Sequence, residues 1–129
     1  MQNEKSFHDI RYKKNNLRPK LYRFGLRNWY LDYKSLLLSS NGNLLELGAG
    51  LESCFIEYKE LNDLIDKNIL NVISIDISNM AVKKCKKFEK KGLSCLVEDA
   101  HYLKNLKDKS INYFIGRGII HHLDIKKFI

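Results

Sequence analysis

The chain has few residues that break or staple a fold. Its 129 residues include one proline, one tryptophan and three cysteines. Cys54, Cys85 and Cys95 are odd in number and have no CxxC spacing, which argues against a disulfide framework or a structural zinc site and fits a reducing cytoplasm. No apolar run approaches the ~20 residues of a membrane span. Residues 1–10 are polar and contain no apolar secretory segment. There is no internal repeat and no low-complexity linker. What remains is the composition of a globular chain, 44% apolar and 29% charged, long enough to bury one core.

The formal charge is +8, unevenly spread. Residues 1–40 hold nine Lys/Arg against three Asp/Glu, whereas residues 41–129 hold fourteen against twelve. A basic arm can steer an anionic partner. It carries no specific nucleic-acid motif, and lysines solvating an exposed helix explain it as simply. Pro19 stands where a helix can begin. Tyr22, Leu26, Trp29, Tyr33, Leu36 and Leu37 then recur at helical spacing until the turn formers of residues 39–42. This divides the chain into an N-terminal helical arm or lid, residues 1–42, and a core, residues 43–129.

Within the core, residues 43–47 (NLLEL) form a short apolar run stopped by Gly48-Ala49-Gly50, as a buried strand entering a tight turn does. Phe55, Tyr58, Leu61, Leu64 and Ile65 suit one face of a helix. Residues 71–76 (NVISID) predict a second strand. Ser78 is placed to cap a helix with Ala81, Cys85 and Phe88 inside, six lysines outside, and Gly92 at its end. Residues 93–97 and 111–115 predict a third and a fourth strand. The order strand, helix, strand, helix, strand, loop, strand argues for an α/β parallel sheet with crossover helices.

Chemistry-bearing residues collect at the strand ends. A strand stopped by Gly-x-Gly lets bare backbone approach a ligand, and the amides of the following helix point at it. A structural turn would account for Gly-x-Gly alone. Asp76, at the end of the second strand, can accept the hydroxyls of a ribose, or can serve only as a helix N-terminal acid. Glu98-Asp99-Ala100-His101 closes the third strand, and Gly116-Arg117-Gly118 followed by His121-His122 closes the fourth.

Together, LLELGAG (44–50), ISIDIS (73–78), VEDAHYL (97–103) and INYFIGRGIIHHL (111–123) resemble the class I S-adenosylmethionine-dependent methyltransferases, in order and in approximate spacing. The resemblance covers residues 43–124 and looks like the branch that methylates small molecules. It implies a Rossmann-like parallel sheet with flanking helices. It also implies S-adenosyl-L-methionine as cofactor and a small-molecule methyl acceptor as partner. By that resemblance Glu46, Gly48, Ala49 and Gly50 wall the methionine part, and Asp76 holds the ribose. Ile77 packs on the adenine, Asp99 bonds its amine, and Ala100 lies beside the ring. Arg117 and Gly118 line the pocket below the methyl. The arm, with Phe7, His8, Tyr12 and Tyr22, is the expected lid. No metal is required. If the acceptor loses a proton, His121 or His122 is the candidate base, since imidazole titrates near neutral pH.

Three departures accompany the resemblance. Glu52 stands where the family often has a third glycine. The long Gly50-to-Asp76 interval predicts an insertion around Asn62 to Asn71. The family's sheet usually has seven strands, and only the N-terminal four are expected here, which reads as a C-terminally incomplete core. A partner, or the missing half, would cover the edge of the fourth strand. Two other readings compete. A nicotinamide-binding fold would need glycine at position 53, where Ser53 stands. A non-catalytic or partner-dependent cofactor-binding domain would bind cofactor without turnover.

Overall fold

The computed structural model describes residues 30–50 and 53–116. Phe7, His8, Tyr12 and Tyr22, expected in a lid, lie outside them, as do Leu26, Trp29 and Glu52 and the candidate residues Arg117, Gly118, His121 and His122.

Among the described residues four strands form one sheet: β1 (Gly42–Leu47), β2 (Leu70–Asp76), β3 (Leu93–Val97) and β4 (Tyr113–Gly116). Their order is β3-β2-β1-β4, and every pairing is parallel. Helix α1 covers residues 30–38. Helices α2 (Cys54–Glu57) and α3 (Lys59–Asp66) connect β1 to β2, and α4 (Asn79–Cys85) with a 3₁₀ turn (Lys86–Phe88) connects β2 to β3. The architecture is the expected α/β, Rossmann-like parallel sheet. Successive strands run outward from β1 to β3, then the chain returns to place β4 on the other side of β1. Such a reversal opens a crevice at the carboxyl ends of the strands.

Period-two alternation sorts the strand residues between two apolar clusters. Leu44, Val72 and Leu93 face Tyr30, Leu37, Phe55, Leu61 and Ile65. Leu45, Leu47 and Ile75 face the other way, against Ala100 and the half-buried Leu103, Leu106 and Ile111. Phe55 is wholly buried, and burial of one such side chain contributes about 1.5–3 kcal/mol.

β1 and β2 each begin one residue before the expected boundary, and β3 matches it. β4 starts at Tyr113 rather than Ile111. Ile111 packs in the second cluster, and Asn112 is held by Asn43, its backbone N–H donating to the Asn43 carbonyl at 2.9 Å. The expected single helix after the glycine turn is two. Tyr58 between them is extended (φ −110°, ψ 118°), and its ring stacks on Tyr30 at 3.8 Å. Residues 62–71 hold the end of α3, a turn and the start of β2.

Two expected faces are corrected. On α1 the buried residues are Tyr30 and Leu37, whereas Tyr33 and Leu36 are exposed. The helix carries apolar residues all round, and its packing partner selects the stripe. On α4, Ala81, Val82 and Cys85 are inside and Phe88 is exposed. The helix gives way to the 3₁₀ turn before Phe88, so Gly92 lies in the turn that enters β3 rather than at the helix end.

Candidate functional site

The site starts at the end of β1. Gly48 and Gly50 have φ of 66° and 69°, the left-handed region that costs other residues roughly 1–2 kcal/mol. Ala49 N–H donates to the Ile75 carbonyl at 3.0 Å. Gly50 N–H donates to Asp76 Oδ2 at 3.0 Å. The turn is thereby hooked onto the end of β2, with its backbone at the rim of the sheet.

Glu46 holds the turn from beneath. It is 2% exposed. Its Oε1 accepts the Cys54 N–H at 3.0 Å and its Oε2 the Ser74 hydroxyl at 2.7 Å. Glu46, expected in the wall of the site, thus lies directly beneath the glycine turn. Its position on β1 shares the face of Leu44, toward the helices, so its carboxylate fixes the start of α2. Ser53 caps that helix by accepting from Phe55 N–H.

The second strand end carries Asp76, 9% exposed. Gly50 N–H reaches one of its oxygens, and Ser78 N–H donates to the other, Oδ1, at 2.9 Å. The carboxylate is therefore pinned between the glycine turn and the start of α4. Ser78 caps α4 as expected, its Oγ accepting from Ala81 N–H. The helix-terminal role of Asp76 is thus realised together with its link to the turn. Ile77 is half-buried beside it.

β3 joins the same rim. Asp76 pairs with Val97, and Glu98 N–H donates to the Asp76 carbonyl at 3.1 Å. The Glu98 side chain is spent on Asn105, accepting its Nδ2 at 2.6 Å and its N–H at 3.3 Å. Asp99 behaves differently. Its Oδ1 accepts the His101 N–H at 2.9 Å and lies 2.7 Å from His101 Nδ1. Among the described residues no donor sits on Oδ2, and the side chain keeps 25% exposure beside an imbedded His101 ring at 1%. His101 was given no role by its sequence position. The Asp-x-His spacing at a strand end is the signal that could have found it.

On the other side of β1, Leu47 pairs with Gly116. The rim therefore joins the Gly48-Ala49-Gly50 turn to Ile75 and Asp76 through hydrogen bonds of Ala49 and Gly50, with Ile77, Asp99 and Ala100 at the adjoining strand ends. Glu46 stands below it. A separate cavity of about 460 Å³ opens on the sheet face of Leu45, Leu47 and Phe114, and Ala100 is the one candidate residue in its wall among those described. Among the described residues no group of three His, Cys, Asp or Glu could hold a metal ion, and no helix is long and apolar enough to cross a membrane.

Comparison with known proteins adds two findings. Residues 45–129 match the sequence model of the methyltransferase-domain family. A solved Haloferax volcanii protein, taken to be a methyltransferase and in complex with the Trm112 methyltransferase activator of that organism, superposes with a TM-score of 0.50. The match covers 75% of this chain at 19% identity, which bears on fold alone, and the chain spans 43% of that protein's length. No curated protein sequence matches the chain.

Proposed function

The chain belongs to the methyltransferase-domain family, and from that premise we propose that its rim binds S-adenosylmethionine for methyl transfer to a small-molecule acceptor. The observation that carries this reading is the three-part rim: a positive-φ glycine turn, Asp76 bonded to it, and the quarter-exposed Asp99 just past the end of β3. A nucleoside joined to an amino acid needs such a set. The glycine backbone admits the methionine part closely, Asp76 accepts from the ribose, and Asp99 Oδ2 accepts from the adenine amine. Ile77 and Ala100 supply apolar contact to the base.

S-adenosylmethionine would supply a methyl carbon on a sulfonium, whose displacement leaves a neutral thioether. The residues of this chain then have to orient the two partners and exclude water. Glu46 and Ser53 keep the turn and α2 in place, and His101 orients Asp99. Arg117 and Gly118 are assigned to the wall below the methyl, and the N-terminal arm to the acceptor, its α1 part being packed in the first apolar cluster. His121 or His122 is assigned the acceptor's proton. A cytoplasmic setting goes with these assignments.

Titration of S-adenosylhomocysteine into the purified chain tests the cofactor reading. A saturable isotherm is expected, and Gly48→Val, confirmed as folded by thermal melting, abolishes it. Absence of binding by the unaltered chain overturns the cofactor reading and leaves family membership intact.

A second reading, a cofactor-binding domain that depends on a partner for turnover, draws on one observation. β3 and β4 are both edges of the described sheet. An edge offers unpaired backbone groups to another chain, and the Haloferax volcanii protein of similar fold was solved with an activator. Methyl transfer by the isolated chain excludes this reading.

A further inference from the structure

Two of the three cysteines meet. Cys85 is the last residue of α4 and Cys95 lies in the middle of β3. Their sulfurs are 3.0 Å apart, both as free thiols. With Val82 they form a small buried cluster of their own, whereas Cys54 packs in the large cluster of the first face. A disulfide needs sulfurs about 2.05 Å apart, so closure requires an approach of about 1 Å. The elements that must move are a seven-residue helix followed by a single 3₁₀ turn and a strand at the edge of the described sheet.

We propose that Cys85 and Cys95 are a redox-active dithiol that closes to a disulfide by exchange with a small-molecule disulfide. The contact between the sulfurs favours a thiolate on one while the other keeps its proton, and the exchange is written with Cys95 attacking first. The Cys95 thiolate attacks one sulfur of R–S–S–R, forming Cys95–S–S–R and expelling one thiolate, which takes up a proton. Cys85 then loses its proton and attacks the Cys95 sulfur. The Cys95–SR bond breaks, the Cys85–Cys95 bond forms and a second RSH leaves. Two electrons pass from the dithiol to the small disulfide, and two protons leave with its two thiols.

Both sulfurs are buried, so exchange proceeds from a locally opened state. The turn after Cys85 is the natural place for it: no residue of Lys86–Phe88 is buried, and little packing resists its lifting. Closure ties α4, whose cap Ser78 is bonded to Asp76, to β3, which leads to Asp99. If the cofactor reading holds, the bond braces the two elements that flank the adenosine.

The test uses the purified full chain in a buffer of oxidised glutathione, followed by alkylation, proteolysis and mass spectrometry. The expected product is a Cys85–Cys95 linked peptide pair lighter by two hydrogens, with Cys54 alkylated. The melting temperature should rise by roughly 5–10 °C and fall back with dithiothreitol. In Cys85→Ser, Cys95 should be trapped as the glutathione mixed disulfide. Three alkylated thiols after oxidation, an unresolved glutathione adduct on the unaltered chain, or a bond to Cys54 would overturn the proposal. An unmodified Cys95 in Cys85→Ser contradicts its role as the attacking thiol. None of these readouts involves the cofactor, so the dithiol stands or falls apart from the methyltransferase reading.

Discussion

The two ends of the sheet are built to opposite designs. At the amino end, asparagines close the structure on itself. Asn43 N–H donates to Asn112 Oδ1 and Asn43 Nδ2 to the Ser110 carbonyl, both at 2.9 Å, while Asn71 Nδ2 reaches Asn43 Oδ1 at 3.2 Å. Polar groups there satisfy one another and fix β4 against β1. At the carboxyl end the backbone takes left-handed conformations at Gly48 and Gly50, and carboxylates gather at Asp76, Glu98 and Asp99. One end holds register, and the other is the end to which the proposed function assigns the ligand.

The contrast breaks most visibly at its support. Glu46→Ala strands Cys54 N–H and the Ser74 hydroxyl without their buried acceptor. The expected loss is about 3 kcal/mol of unfolding free energy, read by urea titration. A loss below about 1 kcal/mol would mean that the turn is not held from beneath.

Asp76→Ala sharpens the functional half. S-adenosylhomocysteine affinity should drop by about 1.5–3 kcal/mol in calorimetry, and stability should fall as well, because Gly50 and Ser78 lose their acceptor. Unchanged affinity refutes the ribose role.

The amino end supplies the control. Asn43→Ala should cost about 1–2 kcal/mol of stability and leave cofactor affinity unaltered. Weakened binding in that variant would show that the two ends are not separate in function.

The last effect is a pH dependence in the helix-side cluster. The Tyr30 hydroxyl donates to Glu60 Oε2 at 3.0 Å. Burial, then that hydrogen bond and the Glu60 charge, push the phenol up from its usual 10 to about 12. The fold therefore prefers the protonated phenol. Its contribution is fully present below pH 10 and is lost as pH rises through about 12. Urea unfolding at pH 9 and pH 12 should show a drop about 2 kcal/mol larger in the unaltered chain than in Tyr30→Phe. Equal drops would remove Tyr30 from the alkaline transition.

Much of this fold was legible in the sequence where local pattern and tertiary packing agree. β1, β2 and β3 are short apolar runs bounded by turn residues, and their boundaries fall within one residue of expectation. The break at Tyr58 was hidden because Phe55, Leu61 and Ile65 keep helical spacing through it and all pack on the same cluster. β4 was displaced because Ile111 is apolar for a loop that covers the sheet, not for the strand. At the site, the glycine turn and Asp76 announced themselves by type and spacing. The role of Glu46 did not, although alternation with Leu44 and against Leu45 and Leu47 places it on the helix side. His101 went unassigned because its partner, Asp99, is its near neighbour in sequence and the pairing needs the folded turn.

The central claim is that the carboxyl rim, and not another surface, receives the cofactor. An amide correlation spectrum of the isotopically labelled chain, recorded with and without S-adenosylhomocysteine, tests it directly. Shifts concentrated at Gly48, Ala49, Gly50, Ile77, Asp99 and Ala100, with Asn43 and Asn112 unmoved, are the result expected. Shifts confined to the asparagine end or to Tyr113 and Phe114 by the sheet-face cavity would contradict it.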